Sequence, residues 1–175
     1  MCQAVATKGG VKSDNRLYTL EVFILGGPMT LAFVERNEVV SRTIQIRSDQ
    51  TLEDLHHAIF AAFDRFEQHF YEFQVGGKGP KDSKGRRYVT SNEFERMLPE
   101  DPRTVGDVAR STIGSIGLNN GDVFGYLFDF GEDWWHQVNV VEIKEKAGRG
   151  KYPKVTKCVG ESPPQYVDWD EEDDD

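Results

Sequence analysis

The sequence predicts an α+β domain, with a mixed and mainly antiparallel sheet and one main helix packed on one face, in a β-grasp-like arrangement. Three observations predict it. Segments 17–25, 39–47, 69–75, 123–130 and 134–143 are rich in β-formers and bounded by Gly, Pro, Asn or Asp. One stretch beginning at Thr51 repeats apolar residues at helical spacing. The resulting order is strand, strand, helix, strand, short helix, strand, strand, and a single apolar helix stripe must be covered by the sheet. Residues 1–16 read as a disordered leader and 17–146 as the domain. Residues 147–175 read as an irregular C-terminal segment that ends in an acidic tail over 168–175.

The first strand, over 17–25, is stopped by Gly26-Gly27-Pro28. Arg36-Asn37-Glu38 reads as a turn, after which 39–47 alternates with Val40, Arg42, Ile44 and Ile46 on one face. These two strands form a hairpin whose long connection could itself be stranded over 30–34. The helix opens on Thr51, with Asp54 three residues on completing a capping-box-like pair. Leu52, Leu55, Ile59, Ala62, Phe63 and Phe66 form its buried stripe, while Glu53, His57, Asp64 and Arg65 fall on the wet side. His56 belongs inside and His57 outside, because one residue of helix turns the side chain by about 100°.

The next strand, 69–75, puts His69, Tyr71, Phe73 and Val75 on its inner face. From 76 to 103 the chain loses periodicity and gathers Gly, Pro, Lys and Arg, which predicts a mobile basic loop. Thr104 resembles an N-cap, with Asp107 at the third position, for a short helix reaching about Ser115. Asn119-Asn120-Gly121-Asp122 is a turn signal. Segments 123–130 and 134–143 then form an antiparallel hairpin around Gly131-Glu132-Asp133.

The composition narrows the function classes. The net charge of −9 comes largely from the last eight residues, which hold seven acids and leave 21 bases against 23 acids elsewhere. No domain-wide basic field points to nucleic acid. No run approaches the roughly 18 apolar residues that cross a bilayer, so no membrane partner is expected. Two cysteines, Cys2 and Cys158, suit a reducing, cytoplasmic setting rather than a disulfide framework.

Thr51-Leu52-Glu53-Asp54-Leu55-His56, then His69-Phe70-Tyr71-Glu72-Phe73, then the run from Tyr126 to His136 occur in one order. Together they resemble the plasmid Ri open-reading-frame-three-like family, over about residues 18–143. That family shows a T-L-x-D-L-H helix start, an H-x-x-E-F strand and a later Y-x-Y/F-D-F-G-D-x-W-x-H signature. This chain departs from the last by Glu132 in place of Asp and by one additional Trp. It also has Ser162 before Pro163-Pro164, where the family's Cys-Pro-Pro places a cysteine, so a paired-cysteine metal or redox role does not carry over. The resemblance implies an α+β fold without an established activity. Some members carry a transposon-resolvase label and some are fused to DNA-binding domains. This chain shows neither the serine among arginines nor the helix-turn-helix that a serine recombinase needs.

Chemistry could reside in His56, His69 and His136, which the periodicity turns inward. Three neutral imidazoles can hold zinc with an open fourth position, and Asp129 or Glu132 could complete the set or fix a tautomer. Short-range ligand motifs are missing, and satisfied structural histidines remain the bland alternative. The hairpin bend predicts Asp129 across from His136, an arrangement that would favour the imidazolium. Adjacent Trp134 and Trp135 must face opposite ways in a strand. One is core and the other is an anchor or lies beneath a loop. Tyr126, Asp129, Glu132, Trp134, Trp135 and His136 are therefore the candidate ligand pocket. Lys78, Lys81, Lys84, Arg86 and Arg87 could grip phosphates.

The leading expectation is a non-enzymatic binding or accessory module without a cofactor, for an unidentified protein or small-molecule ligand. The alternatives are a metal-assisted or acid/base hydrolase built on His56, His69, Asp129 and His136, and weak nucleic-acid binding through the basic loop.

Overall fold

Structure is described for residues 14–97 and 101–169 in a computed structural model. Most of the expected leader, with Cys2, lies outside the described residues, as do residues 170–175 of the acidic tail. Strand β1 (Leu17–Gly26) leads to a short helix α1 (Leu31–Arg36), strand β2 (Ser41–Arg47) and helix α2 (Leu52–Ala62). Next come β3 (Tyr71–Val75), β4 (Arg86–Val89), α3 (Ser91–Met97) and β5 (Thr104–Asp107), followed by a 3₁₀ turn at Ile113–Ser115. Strands β6 (Val123–Phe128), β7 (Trp134–Lys144) and β8 (Lys154–Val159) complete the fold.

The eight strands form one sheet in the order β5-β4-β3-β6-β7-β1-β2-β8. Every pairing is antiparallel except β4 with β5. The α+β class and the mainly antiparallel sheet match the sequence expectation. Period-two alternation places Tyr18, Leu20, Val22, Phe124, Tyr126, Phe128, Trp134, His136 and Val138 on the inner face, where all are buried. Helix α2 lays Leu52, Leu55, Ile59 and, just beyond its end, Phe63 into the same core. Its capping box is complete, with Thr51 Oγ1 accepting from the Asp54 N–H and Asp54 from the Thr51 N–H. Such a cap contributes about 1 kcal/mol, and each core Phe or Trp roughly 2–3 kcal/mol. Among the described residues no helix is long and apolar enough to cross a membrane.

Several elements differ from the sequence expectation. The connection over 30–34 is helix α1 rather than strand, because Thr30 caps it by accepting the Phe33 N–H at 3.1 Å. Helix α2 stops at Ala62, and Asp64 takes a left-handed φ of 54°. That turn exchanges the expected faces, leaving Phe66 exposed and Arg65 buried. The region 76–103 is not one loop, since it holds β4 and α3. The guanidinium of Arg87 is neutralised by Glu72 and Asp101, which lets a basic segment enter the sheet. Thr104 begins a strand, not a helix; Thr, Val and Gly are poor helix formers, and β4 supplies a parallel partner. The segment beyond 146, expected as irregular, contributes edge strand β8. Its residues are mostly exposed, so no apolar alternation marks it, and backbone pairing with β2 holds it. Lys154 and Lys157 guard the edge.

Candidate functional site

His56 is buried, as its helix phase requires, whereas His57 is exposed. Its Nδ1 lies 2.7 Å from the Tyr126 hydroxyl and its Nε2 3.1 Å from Gln68 Oε1. An amide oxygen only accepts, so Nε2 carries the proton and Nδ1 accepts from the tyrosine. The ring stacks on Tyr71 at 3.6 Å between centroids. Burial pushes its pKa down to about 4, against a smaller opposing pull from Gln68.

His136 is equally buried, wedged between Phe63 and Tyr126. Its Nδ1–H donates to the Trp134 carbonyl at 3.0 Å and the Tyr126 carbonyl at 3.3 Å. Burial, seconded by the charge of Arg65, pushes its pKa down to about 3. The expected pairing with Asp129 does not form. Register sets Tyr126 opposite His136, and the bend carries Asp129 beyond the last strand pair. His136 is therefore a neutral core histidine, the opposite of the imidazolium expected.

Asp129 meets His69 instead, with Oδ2 3.4 Å from Nε2. It adopts φ 60°, and its Oδ1 accepts from the Gly131 and Glu132 N–H groups, which organises the bend. His69 is partly exposed, and its Nε2 lies 2.6 Å from the Tyr166 hydroxyl. The three imidazoles thus face three different sets of partners. Among the described residues no group of three or more His, Cys, Asp or Glu is arranged to hold a metal ion.

The expected ligand pocket is divided by the sheet. Tyr126, Trp134 and His136 lie in the core, Glu132 is exposed at the bend, and Trp135 is half-buried on the opposite face. There Lys81 Nζ stands 4.8 Å from the Trp135 ring centroid. Trp135, Phe130, Leu127, Glu72, Gln74, Arg87 and Arg103 line an open depression of about 390 Å³. A second depression of about 390 Å³ lies beside His69, Phe70, Gln68, Thr90 and Asn92. The exposed rings of Phe70 and Phe130, 6.3 Å apart and nearly parallel, touch one depression each. Of the five basic candidates, Lys78, Lys81, Lys84 and Arg86 are exposed, whereas Arg87 is occupied by its ion pairs.

Arg65 was assigned to the wet face by helix spacing, yet it stacks 3.8 Å from the Trp134 ring. It donates through Nη1 to the Pro163 carbonyl at 3.3 Å, while Nε and Nη2 find no hydrogen-bond partner among the described residues. Burial pushes its pKa down to about 10. The residues Ser162–Tyr166 form a strap across this region. Gln165 Oε1 accepts from the Phe66 and Glu67 N–H groups, and Ser162 bonds both Arg42 and Asp64. Sequence periodicity missed the exposed rings of Phe66, Phe70, Phe130 and Tyr166. The signal was the aromatic content of segments 64–70 and 129–133 just outside regular elements.

The family model for plasmid pRiA4b ORF-3-like protein matches residues 29–169. The uncharacterized protein y4hQ of Sinorhizobium fredii is 26% identical over 139 residues, which is 79% of this chain. The match covers 63% of that relative's length, so the chain spans less than two thirds of it. The crystal structure of MM3350 from Methanosarcina mazei Go1, a protein of unknown function, matches with a TM-score of 0.61 at 22% identity. That match covers 86% of this chain and 72% of the other, and at this identity it shows the fold alone.

Proposed function

The chain belongs to the plasmid pRiA4b ORF-3-like family, and from that premise we propose that it is a non-enzymatic binding module that engages its ligand at the aromatic end of the sheet. Membership brings a fold and assigns no reaction, so the reading rests on the site. The observation that carries it is the Phe70–Phe130 pair, 51% and 37% exposed and flanked by two open depressions. Exposed aromatics at a concave surface are the common anchors of recognition. His56 and His136 support the same reading from the other side. Both are held neutral, with both ring nitrogens of His56 and the Nδ1 of His136 engaged in internal hydrogen bonds. A cytoplasmic setting is part of the proposal, supported by sparse cysteine usage.

A second reading has one specific observation in its favour. The Asp129–His69 pair, 3.4 Å apart, borders an open depression and could serve acid/base chemistry. Nucleic-acid binding through Lys78, Lys81, Lys84 and Arg86 keeps four exposed cations but loses Arg87.

A fragment screen followed by amide NMR separates these readings. Binding at the aromatic end shifts the signals of Phe70, Phe130 and Trp135 and leaves those of His136 in place. Turnover of ester or phosphoester substrates that is lost in His69→Gln would refute the non-enzymatic reading. So would a zinc-dependent rise in melting temperature that is lost in His136→Ala.

A further inference from the structure

Three segments meet beside the β6–β7 bend: 64–70 after α2, 129–133 in the bend itself, and 162–169 near the C-terminal end. Tyr166 ties the first and third together. Its hydroxyl donates to Glu67 Oε2 at 3.0 Å and lies 2.6 Å from His69 Nε2, and its ring stands edge-on to Phe66. The Phe70 carbonyl accepts the Asp129 N–H at 2.9 Å, tying the first segment to the second. The product is a rim of exposed rings, with Phe66 72% and Tyr166 39% exposed alongside the Phe70–Phe130 pair. An aromatic surface of this kind left open to water marks an interaction site.

Acids predominate on this rim, where Asp64, Glu67, Glu132 and Asp133 are exposed among the rings. The exposed Arg36 shares a cavity with Tyr166 and with none of the other three rings. The single Lys or Arg of the three segments, Arg65, is buried against Trp134. Arg103, across Phe130, is already paired with Asp101. At the junction of the segments, Asp129 is nine-tenths buried, and among the described residues its Oδ2 has no hydrogen-bond donor, the His69 Nε2 standing 3.4 Å away. An apolar partner would strand these carboxylates, and an acidic one would be repelled. Ring faces and carboxylates together attract cations, and a guanidinium can stack on the rings while donating to the acids.

We propose that this rim docks a cationic segment of a protein partner, one rich in arginine. The inference rests on the binding reading above and adds the partner's chemistry.

The test titrates the full ¹⁵N-labelled chain with a short arginine-rich peptide. Two matched peptides, with each arginine replaced by glutamine or by glutamate, are titrated in parallel. The expected result is that only the arginine peptide shifts the amides of residues 66–70 and 129–133. Its affinity should fall by roughly tenfold between low and physiological salt. It should fall by about tenfold or more in the doubly substituted Phe70→Ala, Phe130→Ala chain and in Glu67→Gln, Glu132→Gln, with melting temperatures close to the parent. Equal shifts with the glutamine peptide would overturn the cationic assignment while leaving the docking surface. Silence at these amides with all three peptides would overturn both. Shifts confined to residues 170–175 would assign the attraction to the acidic tail and overturn the proposal. So would concentration-dependent shifts linking the rim to Lys78, Lys81 and Lys84, which would identify a second copy as the occupant.

Discussion

Lowering the pH from 7 to 5 should destabilise this fold through two histidines, and the size of the effect follows from their burial. His136 titrates near 6.5 when unfolded and is pushed down to about 3 in the fold. Between those values the unfolded chain binds a proton that the native chain refuses, so stability falls as pH drops below about 6.5. Linkage gives a loss of about 2 kcal/mol between pH 7 and pH 5 from His136 alone. His56, pushed down to about 4, contributes about 2 kcal/mol in the same window. Glu93 works in the opposite sense, because burial raises its carboxyl. The useful readout is therefore a difference between chains. His136→Asn keeps an N–H donor near Nδ1 and removes the titration. Urea unfolding of both chains at pH 7, 6 and 5 gives the slopes. The parent should lose about 2 kcal/mol more than the variant across that range. Identical slopes would refute the argument, since His136 would then be charged or solvated in the native state.

Two further outcomes test the packing. Gly27 has φ +151°, and an added Cβ would fall 2.2 Å from the Trp134 ring, so Gly27→Ala should cost about 3 kcal/mol by thermal or urea unfolding. Gly117→Ala, with φ +76° and open space around it, should cost only about 1 kcal/mol, and equal losses would show that the Trp134 contact is not the cause. Arg65→Met should leave stability within about 1 kcal/mol of the parent or raise it, because two guanidinium nitrogens are buried without a hydrogen-bond partner among the described residues. A loss above about 3 kcal/mol would show that the cation is compensated after all.

Much of the fold was legible because it rests on short-range rules. Thr51 and Asp54 are three residues apart and complete their capping box whatever surrounds them. The phase that buries His56 and exposes His57 is a property of one helix turn. Alternation along β1, β6 and β7 likewise selects a face without knowledge of the partner strand. The misread regions lack such a local signal. Arg87 looks like a solvent-facing base until Glu72 and Asp101 meet it, and β8 has no apolar alternation because only its backbone is used. Arg65 and Phe66 exchanged faces because one residue, Asp64, entered the left-handed region where the helix period ceased to apply.

The sequence by itself determined the α+β class, the main helix and its cap, the β6–β7 hairpin and the inward turn of His56 and His136, since spacing of two or 3.6 residues encodes each of them. Only the tertiary structure decided what those side chains meet. The register of β6 against β7 gave His136 a tyrosine and backbone carbonyls rather than Asp129, and the return of the C-terminal strap joined Tyr166 to Glu67 and His69. Contacts between residues nearly a hundred positions apart depend on how the whole chain closes, and no local period carries that information.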